Sequence, residues 1–165
     1  MTDGLAEVLV LGLGNLLLGD DGLGLRLLEA LAAKSSAADF LDGGTQGLAL
    51  LPHLADRRTL IILDAVALGA PPGTVHTLQG AALSAHRAVT AHGSNALELL
   101  AAARLIGDLP PSVTIIGIEP ACIKTGMGLS PAVQASIPEA LARARTALES
   151  AIREAAKVPS PVSRQ

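Results

Sequence analysis

The sequence predicts an α/β fold: a single domain built on a twisted, mostly parallel sheet with helices on both faces. Two observations carry this reading. Short β-rich runs alternate with helical patterns along the chain, the rhythm of strands joined by crossover helices. A length of 165 residues at 50% hydrophobic content supports one full core and is too short for two comfortable ones. The domain is placed over residues 1–158. Residues 159–165, with two prolines among polar side chains, are expected to form a poorly ordered tail.

The first strand is expected over Val8–Leu11. It runs into Gly12-Leu13-Gly14-Asn15-Leu16-Leu17-Leu18-Gly19-Asp20-Asp21-Gly22-Leu23-Gly24, a glycine turn with two adjacent carboxylates that opens a helix over about Gly22–Lys34. One of the two aspartates is expected to cap that helix. A short strand at Phe40–Leu41 leads to Asp42-Gly43-Gly44-Thr45 and a helix over Gly47–Leu54. Leu60–Leu63 reads as the most apolar strand, terminated by Asp64. Thr74–Leu78 reads as an edge strand, Ser94–Ile106 as a helix and Val113–Ile118 as a buried strand. In the last helix, Ala132–Lys157, residues Val133, Ile137, Leu141, Leu148 and Ile152 recur at steps of four and seven on one face. That face is read as core, with Glu139, Arg143, Arg145, Glu149 and Arg153 on the remainder.

Composition excludes several function classes. The formal charge is -3, the largest Lys/Arg cluster is Arg57-Arg58, and there is one Phe with no Trp or Tyr. Such a chain offers nucleic acid neither a basic face nor a stacking platform. A mean hydropathy of +0.48 raises the question of a membrane. The apolar residues are scattered through short segments, however, and never reach the roughly 18 uncharged positions that a span requires. No basic leader precedes the run Val8–Leu18, so no export signal is expected. The single cysteine, Cys122, precludes an intramolecular disulfide or a Cys-rich zinc site and fits a reducing compartment, the cytoplasm. Cys122 is read as a small packing residue.

Gly12 and Gly14 have the spacing of a dinucleotide fingerprint, but its third glycine falls on Leu17. No P-loop Lys follows either, and two carboxylates repel a phosphate. The loop suits a cation or proton chemistry instead. Three strands lead to acids, at Asp20-Asp21, Asp42 and Asp64, and strand ends of a doubly wound sheet gather at one edge, where ligands sit. Each aspartate also has a structural reading as a cap or turn former. Asp64 resists it most, because an unpaired carboxylate on an apolar strand costs several kcal/mol.

Of the four histidines, His53, His76 and His86 are read as solvated. His92, in Thr90-Ala91-His92-Gly93-Ser94-Asn95, precedes a helix and has two readings, a surface residue beside a Ser94 cap or a ligand. Two Asp oxygens and one imidazole make a hard-to-borderline site with open positions, suited to Zn, Ni, Mn or Fe(II). No Gly-x-Ser-x-Gly elbow supplies a serine nucleophile.

Together these segments resemble the NiFe-hydrogenase maturation endopeptidases. The resemblance rests on Gly12-Leu13-Gly14-Asn15 with Asp20-Asp21-Gly22-Leu23-Gly24, on Leu41-Asp42-Gly43-Gly44-Thr45, on Ile61-Ile62-Leu63-Asp64-Ala65, on His92 and on Gly117-Ile118-Glu119-Pro120. It runs from about Val8 to Leu148. At the position of Asp21 some members carry Glu, and either acid donates oxygen to a metal.

The resemblance implies a five-stranded sheet and a protease that removes a short C-terminal extension from the large-subunit precursor of a hydrogenase after nickel insertion. It further implies that Asp21, Asp64 and His92 contact the metal and carry catalysis, in a cleft lined by Asn15, Asp20, Asp42, Gly43, Gly44 and Thr45. The metal is then the substrate's own nickel, with Zn or Cd as stand-ins in vitro and no organic cofactor. It polarises the scissile carbonyl or lowers the pKa of a bound water towards ~7, while a free carboxylate takes a proton. The expected partner is that precursor, met transiently by a monomer, with no nucleic acid and no membrane. Two alternatives stand beside this reading: a non-catalytic nickel metallochaperone, although His- or Cys-rich tracts are missing, and a small-molecule-binding α/β protein.

Overall fold

The computed structural model of the chain describes residues 6–85 and 95–158. Five strands, β1 (Val8–Leu13), β2 (Asp39–Gly44), β3 (Thr59–Ala65), β4 (Val75–Gln79) and β5 (Ser112–Ile118), form one sheet in the order β2-β1-β3-β5-β4. Four run parallel, and β4 pairs antiparallel to β5 at one edge. All six residues of β1 and the first six of β3 are buried. These strands are covered on both faces, which is why they read as unbroken apolar runs.

Alternate residues feed two separate cores. Val8 and Val10 of β1 and Ile61 and Leu63 of β3 face helices α1 (Leu23–Ala32) and α5 (Pro131–Ala156). Leu9, Leu11, Leu60 and Ile62 face the other side, against α2 (Leu51–Leu54) and α4 (Asn95–Ile106). The innermost line of α5 is Val133, Ala140, Ala144, Leu148 and Ala151, while the predicted Ile137, Leu141 and Ile152 pack partly buried at its flanks. Small side chains take the centre because they let a helix lie close on the sheet.

Most elements fall where the sequence places them, with ends displaced by up to three residues. Gly47–Leu54 divides into a 3-10 turn, Gly47–Leu50, and the single turn α2. A short helix, α3 (Gly80–Ala85), was not anticipated. Asp64 lies inside β3. Neither aspartate caps α1: the 3-10 turn Gly19–Gly22 precedes that helix, and its N-cap Gly22 has no side-chain bond. Both carboxylates are engaged by other backbone groups, described below.

The chain leaves β1 to one side, through α1 to β2, and returns through α2 to β3 on the other. The carboxyl ends of β1 and β3 therefore flank the point where strand order reverses, the usual ligand crevice of such sheets. The first turn of α1 sits directly on it. A Cβ added at Gly24 would lie 2.3 Å from the Leu63 carbonyl oxygen and 2.4 Å from that of Leu13, so helix and strand ends are in backbone contact. Helix propensity favours Gly24→Ala by about 1 kcal/mol, whereas overpacking against two rigid backbone oxygens costs about 1–3 kcal/mol or more. Sterics wins: Gly24→Ala is expected to lower the urea midpoint, in contrast to the usual glycine-to-alanine gain within a helix.

Candidate active site

The connection after β1 folds around its own side chains. The Asn15 carbonyl and Oδ1 accept from the backbone N–H of Leu18 at 3.1 Å and Leu17 at 2.9 Å. The Asn15 N–H in turn donates to Asp21 Oδ2 at 2.9 Å. Gly14, at φ +123°, is required here, since a Cβ would stand 1.9 Å from the Asp21 carbonyl oxygen. The turn thus fixes Asp21 half-buried, with Oδ1 accepting no bond among the described residues.

Asp64 is 7% exposed, and its Oδ1 accepts one bond, from the Ala65 N–H at 2.8 Å. Its register partner on β5 is Gly117, where a Cβ would meet the Asp64 carbonyl oxygen at 2.3 Å. Burial first, and then the charge of Asp21, raise its pKa from 3.8 to about 7, against the lowering effect of the Ala65 N–H. The fold thus brings Asp21 and Asp64 together as a pair of carboxylates that resist joint ionisation.

Asp20, the neighbouring acid, has the opposite fate. It is fully buried and accepts four bonds: Oδ2 from Ala121 N–H at 2.8 Å, Cys122 N–H at 3.0 Å and Ser130 Oγ–H at 2.8 Å, and Oδ1 from Ser130 N–H at 2.7 Å. Burial alone opposes its ionisation, but these donors outweigh it and hold the carboxyl below its ordinary value. Expected as a cleft residue, Asp20 is instead an anchor for the segment between β5 and α5. Gly43 is likewise a packing residue, enclosed by Leu11, Leu13 and Leu50. Asp42 is exposed, with Oδ1 accepting the Gly44 N–H at 3.0 Å in a tight turn, and Thr45 is exposed beyond it.

His53 is exposed as expected. His76, expected in solvent, is tucked on β4 with its Nε2 2.8 Å from Glu119 Oε2. Glu119, 5% exposed, also accepts from the N–H groups of Leu68 and Gly69 at 2.9–3.1 Å. It fastens the loop that follows Asp64. The sequence signal for this was the acid directly after an apolar strand, the same one that marks Asp64. His86 and His92 lie outside the described residues, as does the tail 159–165. Among the described residues no three His, Cys, Asp or Glu side chains form a metal-binding group, and no helix is long and apolar enough to cross a membrane.

A doubly wound sheet with an acid pair at its switch point, one member poised near neutrality, defines a class of α/β proteins equipped for proton or cation chemistry at the strand ends. Comparison narrows the class. Residues 25–147 match the hydrogenase maturation protease family. The chain is 37% identical to the hydrogenase 2 maturation protease of Escherichia coli over 86% of its length and 90% of that protein's. It is 40% identical to the hydrogenase expression/formation protein HupD of Rhodobacter capsulatus, over 84% and 69%. The structure of the hydrogenase maturating endopeptidase HybD from E. coli superposes with a TM-score of 0.77 at 36% identity, covering 87% of this chain and 92% of that one. The HybD maturation protease of Thermococcus kodakarensis gives 0.71 at 31%, covering 85% and 97%. The chain belongs to the hydrogenase maturation protease family. It is an endopeptidase of hydrogenase maturation, as the motifs of the sequence implied.

Asp64 and Asp20 give opposite pH dependences. For Asp64, the folded pKa of about 7 exceeds the unfolded 3.8. The folded state therefore binds the extra proton, and stability falls as pH rises from about 4 to 7. Asp64→Asn is expected to stabilise the protein by about 1–3 kcal/mol at pH 8 and by little near pH 4, measured by urea unfolding. For Asp20 the folded pKa is lowered, so its contribution is present above the unfolded value near 3.8 and is lost as pH falls through the lower folded one. Asp20→Ala is expected to cost about 3–5 kcal/mol at neutral pH, because it removes a buried carboxylate and leaves four donors without their acceptor.

Proposed function

We propose that this endopeptidase removes the C-terminal extension from the nickel-loaded precursor of a NiFe-hydrogenase large subunit, recognising the bound nickel through Asp21, Asp64 and His92. The observation that carries the reading is the acid pair itself. Two carboxylates lie at the switch point, near enough for the charge of Asp21 to act on Asp64, each with an oxygen that accepts nothing among the described residues. Asp64 stays near neutrality because no cation offsets its burial and the charge of Asp21. A divalent ion carried in by the substrate supplies that charge, so it is bound by groups whose repulsion it relieves.

Supporting His92 as third ligand is its place in the chain, three residues ahead of α4, a helix packed on the face to which Leu60, Ile62 and, by alternation, Asp64 belong. The donor set of two carboxylate oxygens and one imidazole nitrogen fits nickel and accommodates Zn or Cd in its place. Asn15 orients Asp21, and Asp42, Gly44 and Thr45 border the cleft at the end of β2. In the reaction, water attacks the scissile carbonyl, its proton passes to a carboxylate of the pair, and the C–N bond breaks with that proton delivered to the leaving amine. On this reading the protein works as a monomer in the cytoplasm.

Intact-mass analysis of the precursor, nickel-loaded and nickel-free, after incubation with the protein tests the proposal. One C-terminal fragment should leave the loaded form alone. Asp21→Asn, Asp64→Asn and His92→Ala should each slow processing by at least about 100-fold, the scale of losing a general acid–base or charge-stabilising group. Wild-type rates for Asp21→Asn and His92→Ala together would sink the assignment, and equal cutting of nickel-free precursor would sink the metal checkpoint.

A further inference from the structure

Eight large apolar side chains are exposed among the described residues, and they are not scattered. Leu105, Ile106 and Val158 lie at the far ends of α4 and α5. Leu16, Leu17, Leu48, Ile123 and Met127 all lie in connections leaving the carboxyl ends of β1, β2 and β5, on the edge that carries the acid pair. Exposed apolar groups concentrated around a site mark a surface that becomes covered.

Two of these connections are stitched into one body. Gly19 N–H donates to the Gly126 carbonyl at 2.9 Å, Gly126 N–H to that of Leu17 at 2.9 Å, and Asp20 N–H to that of Cys122 at 3.0 Å. Leu18 and Gly126 pair as an isolated parallel bridge. The buried Asp20 carboxylate ties the same segment at Ala121, Cys122 and Ser130. Met127, 78% exposed, stands between Gly126 and Gly128, both at positive φ with open space around them. Its exposure is thus built by backbone geometry that favours glycine on either side. These leucine, isoleucine and methionine side chains are held out on a braced scaffold, where a loose loop would let them fold back onto the protein.

We infer that Leu16, Leu17, Ile123 and Met127 form an apolar rim that docks the folded hydrogenase precursor and so helps to set which precursor is cut. The inference rests on the reading under Proposed function and extends it from the metal to the protein surface around the scissile tail. The occupant follows from continuity: Asp21 is adjacent to Asp20, whose bonds build the rim, so a polypeptide that delivers a peptide bond to the acid pair lies over these side chains. A second copy seated there would cover the acid pair and block the peptidase. The precursor's complementary surface is expected to be apolar. The exposed Lys124 in the same segment would favour an acidic group at its border, and Met suits contact with a varied apolar surface.

The experiment compares wild type, Leu17→Ser, Met127→Ser, the double variant and the remote control Leu105→Ser. It measures kcat and KM on nickel-loaded precursor, direct binding to the same precursor, thermal melting, and sedimentation. Each rim substitution should raise KM and Kd about tenfold, the loss expected for an apolar anchor, and the double variant more. The values of kcat, the melting temperature and the Leu105→Ser parameters should stay at wild type. An unchanged KM and Kd in the double variant, with wild type active, overturns the rim alone. A fall in kcat at constant KM, or a wild-type dimer that the double variant converts to monomer, also overturns it. If wild type neither cuts nor binds the precursor, the proposed function falls and the rim with it.

Discussion

Backbone contact between the first turn of α1 and the ends of β1 and β3 is the constraint on which the site depends. Only glycine at position 24 permits it, with carbonyl oxygens where a Cβ would be. The same closeness recurs at Gly14 against Asp21 and at Gly117 against Asp64. At each of these glycines the missing side chain lets backbone segments meet, and at Gly14 and Gly117 the segment brought in bears one of the two acids. The low net charge and the large apolar cores elsewhere supply the stability from which this crowding is drawn.

Asp20 and Asp21 show how little sequence separation is needed for opposite electrostatics. One is sealed and ionised because four donors surround it; the other is half open, and its charge adds to burial in raising the pKa of Asp64. A charge that is well solvated by fixed donors is a brace. A charge left short of donors beside another is a reagent. The chain uses the same residue type for both purposes in consecutive positions.

Much of this was legible in the sequence because burial on both faces leaves uninterrupted apolar runs, and β1, β3 and β5 are such runs. The strand-end acids were visible for the same reason, as polar residues where apolar ones were due. Roles that depend on distant partners were hidden. Nothing near Asp20 announces that Ser130 will bind it, and nothing near His76 announces Glu119. Both were assigned the nearest local role, cap or solvated side chain, and both turned out to be held by tertiary hydrogen bonds. The alanine line of α5 was missed because hydrophobic periodicity ranks residues by size, while close helix–sheet packing selects for smallness.

The bond from Asp20 to Ser130 spans 110 residues. Contacts of such separation form late, since the long intervening loop must first be closed. During synthesis, at roughly 5–20 residues per second, the acid-bearing segment leaves the ribosome many seconds before its brace. The segment that bears Asp20 and Asp21 therefore stays without this brace until the start of the last helix has been made.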